Sequence, residues 1–264
     1  MDFHEDIGAL MLTASDGRIV RLESHTRLSS TAELAKEYAN QGYPDRYAVF
    51  TERRINDIKV GMRASDVRDE YGVFMSLILR PGMFPSQVGL LTPLTALALA
   101  SALEGYTDKD LGIGWLSSIY CNGRKIGGTS VEGRLDRFSS YEYIIISFQA
   151  RLDAKSFPPR LSDMIKGVFG KNNLSIPQII ATNLLNIFFT LFNDLKNAPK
   201  HIDSYREKFA LTGVRIKRTD GDRKKRCRIL GVDDECRLLV EDNDRSVHSI
   251  LNPKDVIIPS KIKV

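Results

Sequence analysis

Two cations, Arg124 and Lys125, stand just before the paired glycines Gly127 and Gly128. An ammonium beside bare backbone suits an anionic ligand, because charge attracts it and glycine lets main-chain groups come close. The plainer alternative is a solvated lysine after a turn, with glycines that relieve crowding in a strand. Arg53, Arg54, Lys59 and Arg63 form a second cationic stretch. It suits an anion or a protein partner, or is simply a wet loop. Trp115, the single tryptophan, offers a flat face for stacking, and a core position on a strand is an equal alternative. Cys121 is a candidate nucleophile, but no histidine lies near it in sequence to activate it. A buried strand cysteine is the stronger reading.

The elements that must position these residues can be read in order. A strand over Arg18–Leu22 follows the turn Asp16-Gly17. Ser30 and Glu33 form an S-x-x-E start for a helix that Gly42 stops. Strands are expected at Tyr47–Glu52 and Val73–Leu79, the second ended by Arg80-Pro81-Gly82. The alanine-rich run from Leu90 to Leu103 predicts a buried helix with Pro93 in its first turn. Asn122-Gly123 marks a hairpin, and Tyr141–Gln149, with three isoleucines, reads as a sheet interior. Ser175, Pro177 and Gln178 open another helix, and His201–Phe209 forms a shorter one. After Gly213 short alternating strands separated by Asp/Gly/Asn turns predict a small barrel.

The 264 residues suffice for one large domain and one small one. No apolar run is long enough to span a bilayer, since Leu184–Phe192 is short and interrupted by polar residues. The acidic start, Met1 to Asp6, lacks the basic opening and apolar core of a signal peptide. Cys121, Cys227 and Cys236 make no even framework, and the four histidines are scattered. A cytoplasmic location and no structural metal are therefore expected. The net charge of +5 is concentrated in Arg215, Lys217, Arg218, Arg223, Lys224, Lys225, Arg226 and Arg228. Nucleic acid is one reading of that cluster. It lacks interleaved aromatics and is diluted by Asp220, Asp222, Asp233, Asp234 and Glu235, so a solvated hairpin is preferred.

Four segments, in order and spacing, resemble the biotin protein ligases. They are Leu28-Ser29-Ser30-Thr31, Val73-Phe74-Met75-Ser76-Leu77-Ile78-Leu79-Arg80-Pro81, Ile113-Gly114-Trp115-Leu116-Ser117-Ser118-Ile119 and Asn122-Gly123-Arg124-Lys125-Ile126-Gly127-Gly128. Enzymes of that family join the biotin carboxylate to the α-phosphate of ATP, then pass the biotinyl group to a carrier lysine. The resemblance implies an α+β fold, with a mixed central sheet and flanking helices of the class II synthetase-like biotin/lipoate ligase type over residues 1–210. An SH3-like β-barrel would follow over 211–264. It also implies that Lys125 sits against biotin and the reacting phosphate. Ser30, Thr31, Arg54, Arg63, Trp115, Gly127 and Gly128 would lie around the ligand.

The chain departs from the family where the chemistry is most demanding. The G-R-G-R-x-G-R loop falls on Asp57-Ile58-Lys59-Val60-Gly61-Met62-Arg63, where only Arg63 keeps its arginine. Phosphate chemistry needs donors aimed at shifting negative charge, and isoleucine, valine and aspartate supply none. The K-W-P-N-D motif reads Gly114-Trp115-Leu116-Ser117-Ser118, and G-x-G-I-N reads Ser147-Phe148-Gln149-Ala150-Arg151. Ala32 replaces the asparagine after Ser-Thr. The expectation is thus a ligase homologue with overwritten ATP and biotin motifs, catalytically impaired and working as a ligand- or protein-binding module. The alternative is an active, divergent ligase that uses biotin and ATP. The partners implied are a biotin carboxyl carrier domain or a carboxylase subunit, and no membrane. Relatives often dimerise, so a homodimer fits the resemblance. Too few residues precede the ligase-like region for a DNA-binding winged helix.

Overall fold

A computed structural model describes residues 8–55, 69–107, 109–152, 175–194, 197–220 and 223–262. The loop 57–63, including Arg63, lies outside the described residues. The strands are β1 (Gly8–Thr13), β2 (Ile19–His25), β3 (Tyr47–Ile55), β4 (Asp69–Leu79), β5 (Leu111–Ile113), β6 (Ser118–Cys121), β7 (Arg124–Leu135) and β8 (Tyr141–Arg151). They build one eight-stranded sheet ordered β1-β2-β3-β4-β8-β7-β6-β5. Among the described strands only β2 and β3 pair in parallel, joined through helix α1 (Thr31–Asn40), so the sheet is mixed.

Period-two alternation divides the sheet into two apolar faces. Val49, Ile78 and Ile145 meet Ala35 and Ala39 of α1 on one side. Ala48, Leu77, Ile146 and Phe148 join the other, larger core with helix α2 (Leu91–Glu104) and helix α3 (Ile176–Asn193). Leu94, Leu97, Leu99 and the alanines of α2 are buried, as an apolar all-round helix requires. Helix α3 is long and apolar enough to cross a bilayer by length and composition, unlike the sequence expectation. Here Ile180, Leu184, Leu185, Phe188 and Phe189 are buried in the core against α2 and the sheet.

Local signals set several boundaries. Ser30 accepts the Glu33 N–H and starts α1, but the Glu33 side chain goes to Lys36 and not back to the cap. Ser175 and Gln178 form a complete reciprocal capping box on α3, with Pro177 in the first turn. Asn122 (φ 48) and Gly123 (φ 70) both take the left-handed backbone of a tight hairpin between β6 and β7. Helix α4 (Ala198–Glu207) starts earlier than the expected His201.

The second sheet contains β9 (Arg215–Asp220), β10 (Arg223–Val232), β11 (Leu238–Asp242), β12 (Val247–Ile250) and β13 (Val256–Ile257). Its order is β12-β11-β10-β9-β13. Among the described residues this ladder is open, not the closed barrel expected over 211–264. β13 is two residues long and pairs only with β9, while β12 pairs only with β11. The two sheets share one continuous buried core that includes Ile113, Trp115, Ile216, Ile229 and Val240. Polar pins fasten them: Trp115 Nε1 donates to Cys236 O at 2.8 Å, and Tyr120 Oη donates to Pro259 O at 2.7 Å.

Candidate functional site

β7 and β8 run side by side with Gly127, Gly128 and Ser130 opposite Ala150, Gln149 and Ser147. Phe74 of β4 continues the row through Gln149 to Gly128. Over this row lies a cavity of about 370 Å³, lined among others by Arg54, Phe74, Lys125, Gly127, Gly128, Ser130, Gln149 and Arg151. Ser260 adds a wall, and its carbonyl accepts the Lys125 main-chain N–H at 3.0 Å. An isolated bridge between Arg124 and Lys261 holds the C-terminal segment beside the start of β7.

Arg54 enters this space but is fully engaged. Its Nε donates to Glu70 Oε2 at 3.0 Å, Nη2 donates to the same oxygen, and Nη1 donates to Gln149 Oε1 at 2.7 Å. The guanidinium also lies 4.7 Å from the centre of the Phe74 ring, within cation–π range. Glu70 additionally lies 3.7 Å from Arg151 Nη1, and Arg151 Nη2 donates to Lys125 O at 3.1 Å. One carboxylate is therefore shared by both guanidiniums and offsets one of their two charges. Lys125 differs: its exposed ammonium has no ion pair among the described residues.

The structure thus brings Lys125, Gly127, Gly128 and Arg54 together. Of the other expected residues, Arg63 lies outside the described ones, and Ser30, Thr31 and Trp115 do not line this cavity. Ser30 caps α1. Thr31 is buried, with Oγ1 2.8 Å from Ser76 Oγ, which in turn lies 2.9 Å from Ser147 Oγ. Trp115 does not line the cavity; at 5% exposure its ring belongs to the core. Cys121 is buried as the strand pattern suggested. The glycine pair has a packing reason of its own. A Cβ on Gly127 would stand 1.8 Å from Gln149 O, and one on Gly128 would stand 2.5 Å from Ser117 O. Both contacts are with backbone, which cannot swing aside.

Glu70 is the residue that sequence reasoning missed. Its signal was the antiparallel pairing of β3 with β4, which sets it opposite Arg54. Gln149, which the resemblance aligns with a glycine, lines the cavity and accepts from Arg54. No cluster of three or more metal-ligating side chains occurs among the described residues. For a nucleotide, the described lining offers Lys125 as the cation free of ion pairing, together with the Ser130 hydroxyl. Glu70 opposes a phosphate there.

No family model matches the chain. Bifunctional ligase/repressor BirA of Bacillus subtilis (strain 168) is 28% identical over 227 residues, covering 83% of this chain and 69% of that protein. The biotin protein ligase of Aquifex aeolicus, solved in complex with biotin and ATP, has a TM-score of 0.63 at 17% identity. That match covers 89% of this chain and 97% of the other. A biotin protein ligase-like protein of unknown function from Silicibacter sp. TM1040 follows at a TM-score of 0.60 and 14% identity, covering 88% and 94%. By weak sequence homology over most of its length and by its fold, this chain is similar to the biotin protein ligases.

Proposed function

We propose that this chain is a biotin protein ligase homologue impaired in adenylation, in which the cavity beside Lys125 serves a binding role. The observation that carries this is the capture of Arg54 by Glu70 and Gln149. Adenylation needs preorganised donors directed at the α-phosphate as pyrophosphate leaves. A guanidinium already held by a carboxylate supplies little of that field, and the carboxylate itself repels phosphate. Each missing donor of this kind lowers the rate by roughly a hundred- to a thousand-fold, though not additively. The occupant is then a small molecule with an acid group that meets Lys125, or a biotin carboxyl carrier domain or carboxylase subunit presenting such a group. Residues 1–210 are the ligase-like unit and 211–264 a smaller one packed against it. A reducing, cytoplasmic setting suits three buried cysteines.

The second reading is an active, divergent ligase, favoured by the unpaired Lys125 ammonium at the cavity. ATP-dependent transfer of labelled biotin to a purified carrier domain separates the two, with an active ligase as control. No transfer by the folded protein is expected. Transfer abolished by Lys125→Ala would overturn the binding-protein reading and establish the enzyme.

A further inference from the structure

Exposed and buried residues alternate along β9 and from Arg226 to Ile229 of β10, while Arg223 to Arg226 are all exposed and are placed on a face by the two-residue period of the strand. Arg215, Lys217, Lys224, Arg226 and Arg228 therefore share the outer face, while Ile216, Cys227 and Ile229 fill the core. In register, Arg215 stands opposite Arg228 and Lys217 opposite Arg226. Like charges directly opposite each other on an antiparallel pair are destabilising. A face that served solubility alone is better made with interspersed signs. One strand over that is what happens: Arg228 Nη2 donates to Glu241 Oε2 at 2.9 Å. Arg215, Lys217, Lys224 and Arg226 have no ion pair among the described residues. Nor is the face flat. Arg215, Arg226, Arg228 and Arg245, outnumbering the carboxylates Glu241 and Asp242, line a cavity of about 350 Å³ at β10, β11 and the turn that follows. Arg245 is fixed at that turn in left-handed backbone (φ 67), its N–H donating to Asp242 O at 3.0 Å.

We infer that this face binds the phosphate backbone of duplex nucleic acid without reading its sequence. Arginine forks take phosphate oxygens in pairs, and cations at every second residue, roughly 7 Å apart along a strand, make a track for a repeating polyanion. None of the residues on this face is aromatic, so it lacks the stacking platform that single strands use. A bilayer fits less well. The apolar residues at the sheet edges, Val247 and Ile257, are short side chains on strands and not the apolar face of an amphipathic helix. This surface is separate from the cavity beside Lys125 and holds whether or not that cavity supports catalysis.

The test is anisotropy of a labelled, mixed-sequence duplex titrated with the full chain between about 50 and 200 mM salt. Four phosphate contacts predict a log–log slope of roughly −3 to −4. Lys217→Gln/Arg226→Gln should weaken binding by about ten-fold or more and make the slope shallower by roughly two. The same double variant should be at least as thermally stable as the parent, since it removes a like-charge cross-strand pair. Arg134→Gln, on the first sheet, should bind as the parent does. Three results would overturn the inference: no duplex binding at low salt, binding that the double variant retains in full, or tighter association with phosphatidylserine-containing vesicles or polyglutamate than with the duplex.

Discussion

Arg54 and Glu70 face each other across β3 and β4, and the carboxylate takes the Nε edge of the guanidinium. Gln149 takes another donor and Phe74 lies under the plane. Glu70→Gln keeps the shape but removes the charge that opposes an anion. The affinity for ATP or pyrophosphate should rise by about three- to ten-fold, since a part-exposed pair is worth roughly 1 kcal/mol. Calorimetric titration of parent and variant measures it. Unchanged affinity would mean that the cavity does not meet phosphate through Arg54.

Much of this arrangement could be read from local signals. The capping box at Ser175 and Gln178 and the hairpin at Asn122-Gly123 depend on neighbouring residues, and both formed where the sequence put them. Lys125, Gly127 and Gly128 come to the cavity on one strand for the same reason. Non-local pairing was hidden. Glu70 acquires its role only through the register of β3 and β4, and Trp115 is claimed by the Cys236 carbonyl in the turn between β10 and β11, far away in sequence. Strand β1 was not foreseen because its pattern is short and its side chains are mostly exposed or half-buried. The open edge of the second sheet follows from β13 being too short to continue the ladder.

Gly127 separates a packing role from a ligand role. An added methyl would collide with the Gln149 carbonyl, forcing β7 away from β8. Gly127→Ala should cost about 2–4 kcal/mol in urea unfolding. Gly17→Ala is the useful contrast: nothing lies near its Cβ, and only its positive φ of 77° opposes the change. A cost there of about 1 kcal/mol is expected. If Gly127→Ala proved as mild as that, β7 and β8 would have to be less closely paired than described.

All three thiols are buried. Burial pushes the Cys236 thiol up to about 12, and it also raises Cys227. Neither supplies thiolate near neutral pH, the form that reacts. A colorimetric thiol reagent should therefore modify the native protein slowly and three cysteines at once in denaturant. Rapid modification of a single cysteine in the native state would reopen Cys121 as a nucleophile.

Acid sensitivity should trace to the turn between β1 and β2. Arg46 Nη1 and Nη2 donate to Asp16 Oδ1 and Oδ2 at 2.8 and 2.6 Å, and the guanidinium lies 4.2 Å from the Phe189 ring of α3. Hydrogen bonds from Arg46 hold the Asp16 carboxyl at about 2, below its ordinary value. A carboxyl depressed by folding contributes stability that is complete above the unfolded value near pH 4 and disappears as pH falls towards 2. Nearly two pH units correspond to at most about 2.5 kcal/mol, and the partial exposure of Asp16 reduces this to roughly 1–2 kcal/mol. Asp16→Asn should be less stable at neutral pH, because buried Arg46 then keeps only the more distant Asp45 carboxylate, 3.8 Å from its Nε. It should also lose less on acidification between pH 4 and 2 than the parent. Parallel acid limbs for the two proteins, followed by urea unfolding across pH, would assign the loss to other carboxyls. Glu23 comes next. Burial would raise its carboxyl, but hydrogen bonds from Tyr47, Tyr38 and His25 outweigh that and hold it low.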